Sequence, residues 1–234
     1  MVWTRTSTAA RSSRPALDRD RIVRAAVDLL DEQGLDGLTM RRLGAKLDSG
    51  ATTIYWHVPN REAVLDLAVD HILGEVEPAK VVVEGSGRDW LAELRRVHVD
   101  MFAMVWRHRW FATLIGTRPE IGPNGTRLNA GTIDVLSRAG FAGADLDGAL
   151  WGLGNYVTGA ASFLISWDDW LHGDPADLEA TRAYAQEAIA PFPAYAAHVE
   201  NYLKVGDPDE MREVRFSVGL DCLLDGLAAR LERH

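Results

Sequence analysis

An all-α fold is predicted for this chain by three features of its sequence. Apolar residues recur at helical spacing through nearly every segment, Gly and Pro punctuate the segments at helix-length intervals, and no run alternates convincingly as a strand does. Val81 to Val83 is the one β-rich run, and it is too short and isolated to count.

The first helix is DRDRIVRAAVDLLDEQG, with Ile22, Ala25, Ala26, Leu29 and Leu30 on one face. Asp18 or Asp20 is its cap and Gly34 its stop. Thr39 caps a second helix of about two turns, with Met40, Leu43 and Leu47 facing inward. Asp48 and Ser49 make a tight turn, since both types hydrogen-bond locally and Asp tolerates left-handed backbone angles. Ser49 is expected to cap a third short helix, Gly50 to His57, which Pro59 ends by pushing Val58 out of helical geometry. Asn60 caps a fourth, whose buried stripe is Ala63, Val64, Leu67, Ala68 and Ile72. Helix, short helix, tight turn, short helix is a helix-turn-helix order.

Further helices follow, with linkers at residues 85–87, 116–125, 172–175, 191–193 and 206–208. In one long segment Leu146, Leu150, Leu153, Val157, Ala160, Leu164, Trp167 and Leu171 keep a near-heptad stripe. Ala149, Gly152, Tyr156, Gly159 and Phe163 fill a second face. The last segment repeats the pattern with Phe216, Leu220, Leu223, Leu227 and Leu231, beside Leu224 and Ala228. Two readings stand: both helices lie in a monomer core, or they pair with symmetry copies in an intermolecular four-helix bundle.

Composition bounds the rest. The chain has 234 residues, 47% of them hydrophobic, a formal charge of −9 and a single cysteine, Cys222. One cysteine excludes an intrachain disulfide and a multi-cysteine metal site, and makes a reducing, cytoplasmic setting the default. Cys222 itself reads as a buried, inert thiol. No apolar run of about 18 residues is present, so no membrane-spanning helix is expected. From Asp18 to Arg61 there are seven Lys/Arg against seven Asp/Glu, and from Val76 to His234 15 against 23, so basic residues concentrate in the first quarter. A nucleic-acid surface is allowed there despite the negative total.

The third helix is chemically unusual. Ala51, Thr52, Thr53 and Tyr55 are the small, polar and aromatic groups that meet base edges in a major groove, while Ile54 and Val58 fix the inner face. Arg41 and Arg42 flank it with charge suited to a guanine edge or a phosphate, and Arg61 suits a second phosphate. Taken singly, arginines at helix starts are solvated and Tyr-Trp-His is a packing cluster. It is the order of the elements that favours the DNA reading.

LTMRRLGAKL followed by ATTIYWHVPNREAVLDLA resembles the DNA-binding domain of TetR-family transcriptional repressors, closest to the tetracycline-repressor branch. WLAELRR and LIGTRP are similar to that branch's ligand-binding domain, so the likeness runs to about residue 171. The resemblance implies an all-α homodimer whose two N-terminal reading heads enter a palindromic operator and whose C-terminal domain binds a small molecule that changes head spacing. It places base contacts at Arg41, Ala51, Thr52, Thr53 and Tyr55, and phosphate contacts at Tyr55, His57 and Arg61. The division expected is a disordered basic arm (1–17) carrying Arg5, Arg11 and Arg14, a helix-turn-helix DNA-binding domain (18–64), and an effector-binding and dimerisation domain (65–234). An organelle-targeting peptide is the alternative for the arm.

Two departures from the branch matter. Asp48-Ser49 stands where the family usually has Gly-Val, and losing a buried valine is worth roughly 1.5 kcal/mol, which predicts a looser turn. Tetracycline sensors place a histidine before LGTRP to bind the drug's magnesium; here the residue is Leu114, and Gly74-Glu75-Val76-Glu77 lacks the second histidine. A metal-bound tetracycline is therefore not the expected effector, and neither a metal nor a cofactor is predicted.

The expected pocket is apolar with a few polar groups: Val97, Met101, Trp106 and Leu114 from its first part, then Thr117 and Arg118, then Trp151, Asn155, Tyr156 and Trp167. Arg118 is the candidate for an anionic or carbonyl group. Eight tryptophans favour a flat, apolar or aromatic effector. His98, His108 and His172 are candidate pocket members, though each alone reads as a half-exposed helix residue. No HExxH, GxSxG, Walker loop or spaced acid pair supports catalysis. The competing readings are an enzyme or carrier that uses the pocket, and a helix-turn-helix that contacts protein.

Overall fold

The computed structural model describes residues 17–80, 89–118, 121–204 and 208–233. The arginines of the expected arm, Val81 to Val83 and the linker at 85–87 lie outside them. Every regular element among the described residues is a helix: α1 (Arg19–Gly37), α2 (Met40–Lys46), α3 (Ala51–His57), α4 (Arg61–Leu73), α5 (Asp89–Arg107), α6 (Arg109–Ala112), α7 (Pro123–Ala139), α8 (Gly143–Leu171), α9 (Pro175–Ile189), α10 (Pro193–Lys204) and α11 (Pro208–Leu231).

Local hydrogen bonds set the first four boundaries. The Asp18 carboxylate accepts from Arg21 N at 2.7 Å, the Thr39 hydroxyl from Arg42 N at 3.2 Å, and the Asn60 side chain from Ala63 N at 2.8 Å. Each satisfies an amide that the helix leaves unpaired. Gly34 leaves helical geometry at φ +66, and one more turn carries α1 to Gly37.

Asp48, at φ +49, ends α2 in the left-handed region. Its N–H donates to Ala45 O at 3.2 Å and that of Ser49 to Gly44 O at 2.9 Å, closing a Schellman-type cap. The turn is thus closed by backbone bonds without the family's valine. Ser49 does not cap α3, contrary to the sequence expectation: its amide belongs to the end of α2, and Gly50 becomes the N-cap with no side-chain bond. Val58, at φ −138 and ψ 123, ends α3 as Pro59 requires.

α1, α2 and α3 pack around Ile22, Leu43, Ile54 and Val58, all fully buried. α4 carries the predicted stripe and buries Leu65, Val69 and Leu73 besides, because it lies between α1 and α7. It is one uninterrupted helix across residue 64.

α5, α7, α8 and α11 form the body. The core stripe of α8 is Ala149, Leu153, Val157, Ala161 and Ile165, running between the two stripes expected. Phe163 is 66% exposed and Trp151 63%, so among the described residues no other helix covers that face. α11 buries Phe216, Leu220 and Leu224 and leaves Val214, Val218 and Cys222 exposed. The buried thiol expected at Cys222 is corrected accordingly: it sits on the outer face of its helix. α9 buries no residue and packs against α10. Among the described residues no helix is long and apolar enough to cross a membrane.

Candidate nucleic-acid interface and effector site

α3 is split lengthwise by burial. Ile54 and Val58 are at 0% exposure, whereas Thr52 and Thr53 are exposed, Tyr55 is 48% exposed and Trp56 83%. A seven-residue helix seated on two aliphatic side chains presents its hydroxyls and aromatic rings outward together. Ala51 opens this helix, at the end that would meet base edges. Trp56 is absent from the residues predicted from sequence, since an aromatic at helical spacing is read as core. Its place beside Tyr55 in the reading helix is the signal that could have found it.

The flanking cations have distinct surroundings. Arg41 and Arg42 are exposed on the first turn of α2. Arg61 is held inward: Nε donates to Leu38 O at 2.8 Å and Nη2 to Leu35 O at 2.6 Å, joining α4 to the end of α1. The sequence predicts a phosphate for this guanidinium; its observed partners are these two carbonyls and Glu62 Oε1 at 3.2 Å. His57 is half-buried, with Nδ1 buried and unpartnered. Lys46 binds Glu32 at 2.8 Å, tying α2 to α1, and that hydrogen bond raises its pKa above the ordinary lysine value.

In the body, an aromatic column runs from Tyr156 to Phe216 (5.3 Å between ring centres), to Phe102 (4.0 Å) and on to Trp106 (6.5 Å). Tyr156 Oη donates to Phe216 O at 2.8 Å, and the Arg212 guanidinium lies 3.9 Å from the centre of the Trp106 ring. Val97 is fully buried, and Met101, Leu114, Trp106 and Tyr156 are half-buried against the core. Trp151, Asn155 and Trp167 lie on the exposed side of α8, apart from the column. Thr117 is exposed and its hydroxyl donates to Leu114 O at 2.7 Å.

Arg118 differs most from its expected surroundings. Nη1 donates to Asp66 Oδ1 at 2.7 Å and Nη2 pairs with Glu62, so its charge is taken up by two carboxylates one turn apart on α4. The Arg118 hydrogen bond holds the Glu62 carboxyl below the ordinary range. Asp70, also on α4, is buried and accepts from Asn124 N at 2.9 Å and Gly125 N at 3.1 Å, satisfying the first amides of α7. The chain between α6 and α7 is therefore tied to α4 through Arg118, and the start of α7 through Asn124 and Gly125.

His98 and His108 are buried, at 3% and 4% exposure, against the half-exposed expectation; His172 is exposed. His98 Nδ1 contacts Leu94 O at 2.6 Å, and burial lowers its pKa, favouring the neutral ring. Among the described residues no group of three or more His, Cys, Asp or Glu could hold a metal ion.

Comparison with known proteins accords with this geometry. Residues 22–68 match the family model described as bacterial regulatory proteins, tetR family, and residues 84–231 match the tetracyclin repressor-like C-terminal domain. The chain is 36% identical to an HTH-type transcriptional regulator of Saccharopolyspora erythraea, over 97% of this chain and 91% of that one. It is 28% identical to the class D tetracycline repressor protein of Escherichia coli, over 92% and 91%. Among solved structures, ActR of Streptomyces coelicolor in complex with actinorhodin superposes with a TM-score of 0.72 at 29% identity, covering 93% of this chain and 99% of that one.

Proposed function

Since this chain belongs to the TetR family of transcriptional regulators, we propose that it is a repressor whose head, residues 18–64, reads a palindromic operator and whose body, from residue 65, binds the releasing effector. The observation that carries this reading is α3, with Thr52, Thr53, Tyr55 and Trp56 outward and Ile54 and Val58 sealed beneath. Bases are read by Arg41, Ala51, Thr52, Thr53 and Tyr55. Arg42, His57 and Trp56 serve the backbone, and Arg61 holds α4 in place for them.

The homodimer is formed by the exposed faces of α8 and α11, where Trp151, Phe163 and Val218 would otherwise face water. Trp151, Asn155 and Trp167 then belong to that interface or to a pocket completed by the partner. The effector is a flat, apolar or aromatic molecule taken beside the aromatic column. ActR in complex with actinorhodin is a precedent for a regulator of this fold binding a ligand. A magnesium-chelated tetracycline lacks its histidines here, with Leu114 in place of the first.

Effector and operator act on one equilibrium, so each weakens the other by linkage. α4 is the shared element: Arg118 and Asn124 hold it from the body, and Arg61 and Glu62 lie at its head end. The reading is tested by fluorescence anisotropy of the purified chain on a palindromic fragment from its own promoter region. Salt-dependent binding is expected, lost when excess specific duplex is added but not with random duplex. Equal affinity for both duplexes would refute it.

A further inference from the structure

The joint between head and body contains a buried histidine with an acid on each side. His108 precedes the four-residue α6; its Nδ1 lies 2.8 Å from Asp31 Oδ1 on α1, and its Nε2 lies 3.1 Å from Glu75 Oε1 just beyond α4. Trp110 Nε1 donates to the same Asp31 oxygen at 2.7 Å. Arg107, at the end of α5, pairs with Glu75. On the other side of α6, Arg109 is bound to α8 through Asp168 and Asp169, each at 2.8 Å, and through Ile165 O at 3.2 Å.

Ionised carboxylates only accept hydrogen bonds, so both ring contacts are bonds at once only when the imidazole carries two protons. A neutral ring would turn a lone pair toward one of the two acids. The charged groups around it are Asp31 from α1, Glu75 after α4 and Arg107 from α5, while the nearby acids of α8 are held by Arg109.

We propose that His108, as an imidazolium, is a positioning residue for the reading head. It ties α1 and the exit of α4 to α6, and through Arg109 to α8, holding the head in one orientation on the body. This rests on the repressor reading above. A head held in place has less freedom to lose when it meets DNA, so loosening the joint weakens operator binding. Asp31 is the head-side anchor, as it takes up both His108 and Trp110.

The test uses the full chain and a duplex that the wild-type protein selects from random palindromes at about pH 6. His108→Gln and Asp31→Asn are each expected to weaken binding about tenfold at that pH, with thermal midpoints close to wild type. Nitrogen NMR is expected to show both His108 nitrogens protonated at that pH. If His108→Gln fails to fold, Asp31→Asn and the wild-type NMR decide. Variants that bind as tightly as wild type, or a His108 with a single protonated nitrogen in that spectrum, would overturn the proposal and leave the repressor reading standing. If the wild-type protein selects no palindrome, both fall.

Discussion

Arg118 Nη1 meets Asp66 Oδ1 at 2.7 Å, joining the chain that follows α6 to the head-proximal half of α4. Glu62 takes the other side of the same guanidinium. The pair is partly exposed, so its contribution to stability is modest, about 1 kcal/mol or less.

Replacing Arg118 by Ala is expected to lower stability by that small amount while raising the Glu62 pKa toward the ordinary carboxylate value. Because the folded-state pKa of Glu62 is depressed, its contribution is present above the unfolded value and disappears as pH falls through the folded one. Carboxyl carbon NMR across an acid titration reads the pKa, and urea unfolding reads the stability. An unchanged Glu62 titration in Arg118→Ala would count against the link.

The two sides of α3 should respond differently to truncation. Tyr55→Ala and Thr53→Ala alter exposed groups, so operator affinity is expected to fall about tenfold each, roughly 1.4 kcal/mol, with stability within about 0.5 kcal/mol of wild type. Ile54→Ala removes a fully buried side chain and is expected to cost about 2–4 kcal/mol of stability. Urea unfolding alongside anisotropy separates the two kinds of loss.

Asp48 holds a left-handed backbone that disfavours a side chain. Asp48→Gly removes that strain but gives the unfolded chain more freedom, leaving a net gain of about 0.5 kcal/mol. A raised urea midpoint with an unchanged slope is the expected outcome.

His98 is pushed by burial below its ordinary pKa of about 6.5. Its unfolded ring takes up a proton that the folded one resists. Stability therefore falls as pH drops from about 6.5 toward the lower folded-state value, and is retained above that window. A neutral replacement, His98→Gln, is expected to show a shallower acid loss in chemical unfolding at a series of pH values.

The residue sequence alone determined whatever acts over a few positions. Asp18, Thr39 and Asn60 each cap an amide three residues on, Asp48 turns the chain where it stands, and Pro59 stops its own neighbour. Those bonds need no distant partner, which is why the helix order and the reading helix were legible. Ser49 escaped because two local motifs competed for one residue, and the cap of α2 took it.

Long-range partners belonged to the tertiary structure. Arg118 reaches acids 52 and 56 residues away, and His108 reaches Asp31 across 77. A charged or ring side chain has many chemically equivalent partners in a sequence, and only packing selects among them. The same holds for α8: periodicity shows that its residues are apolar on two sides, but the closeness of α5 and α11 decides that Leu153 and Val157 are sealed within this chain while Trp151 and Phe163 face out of it.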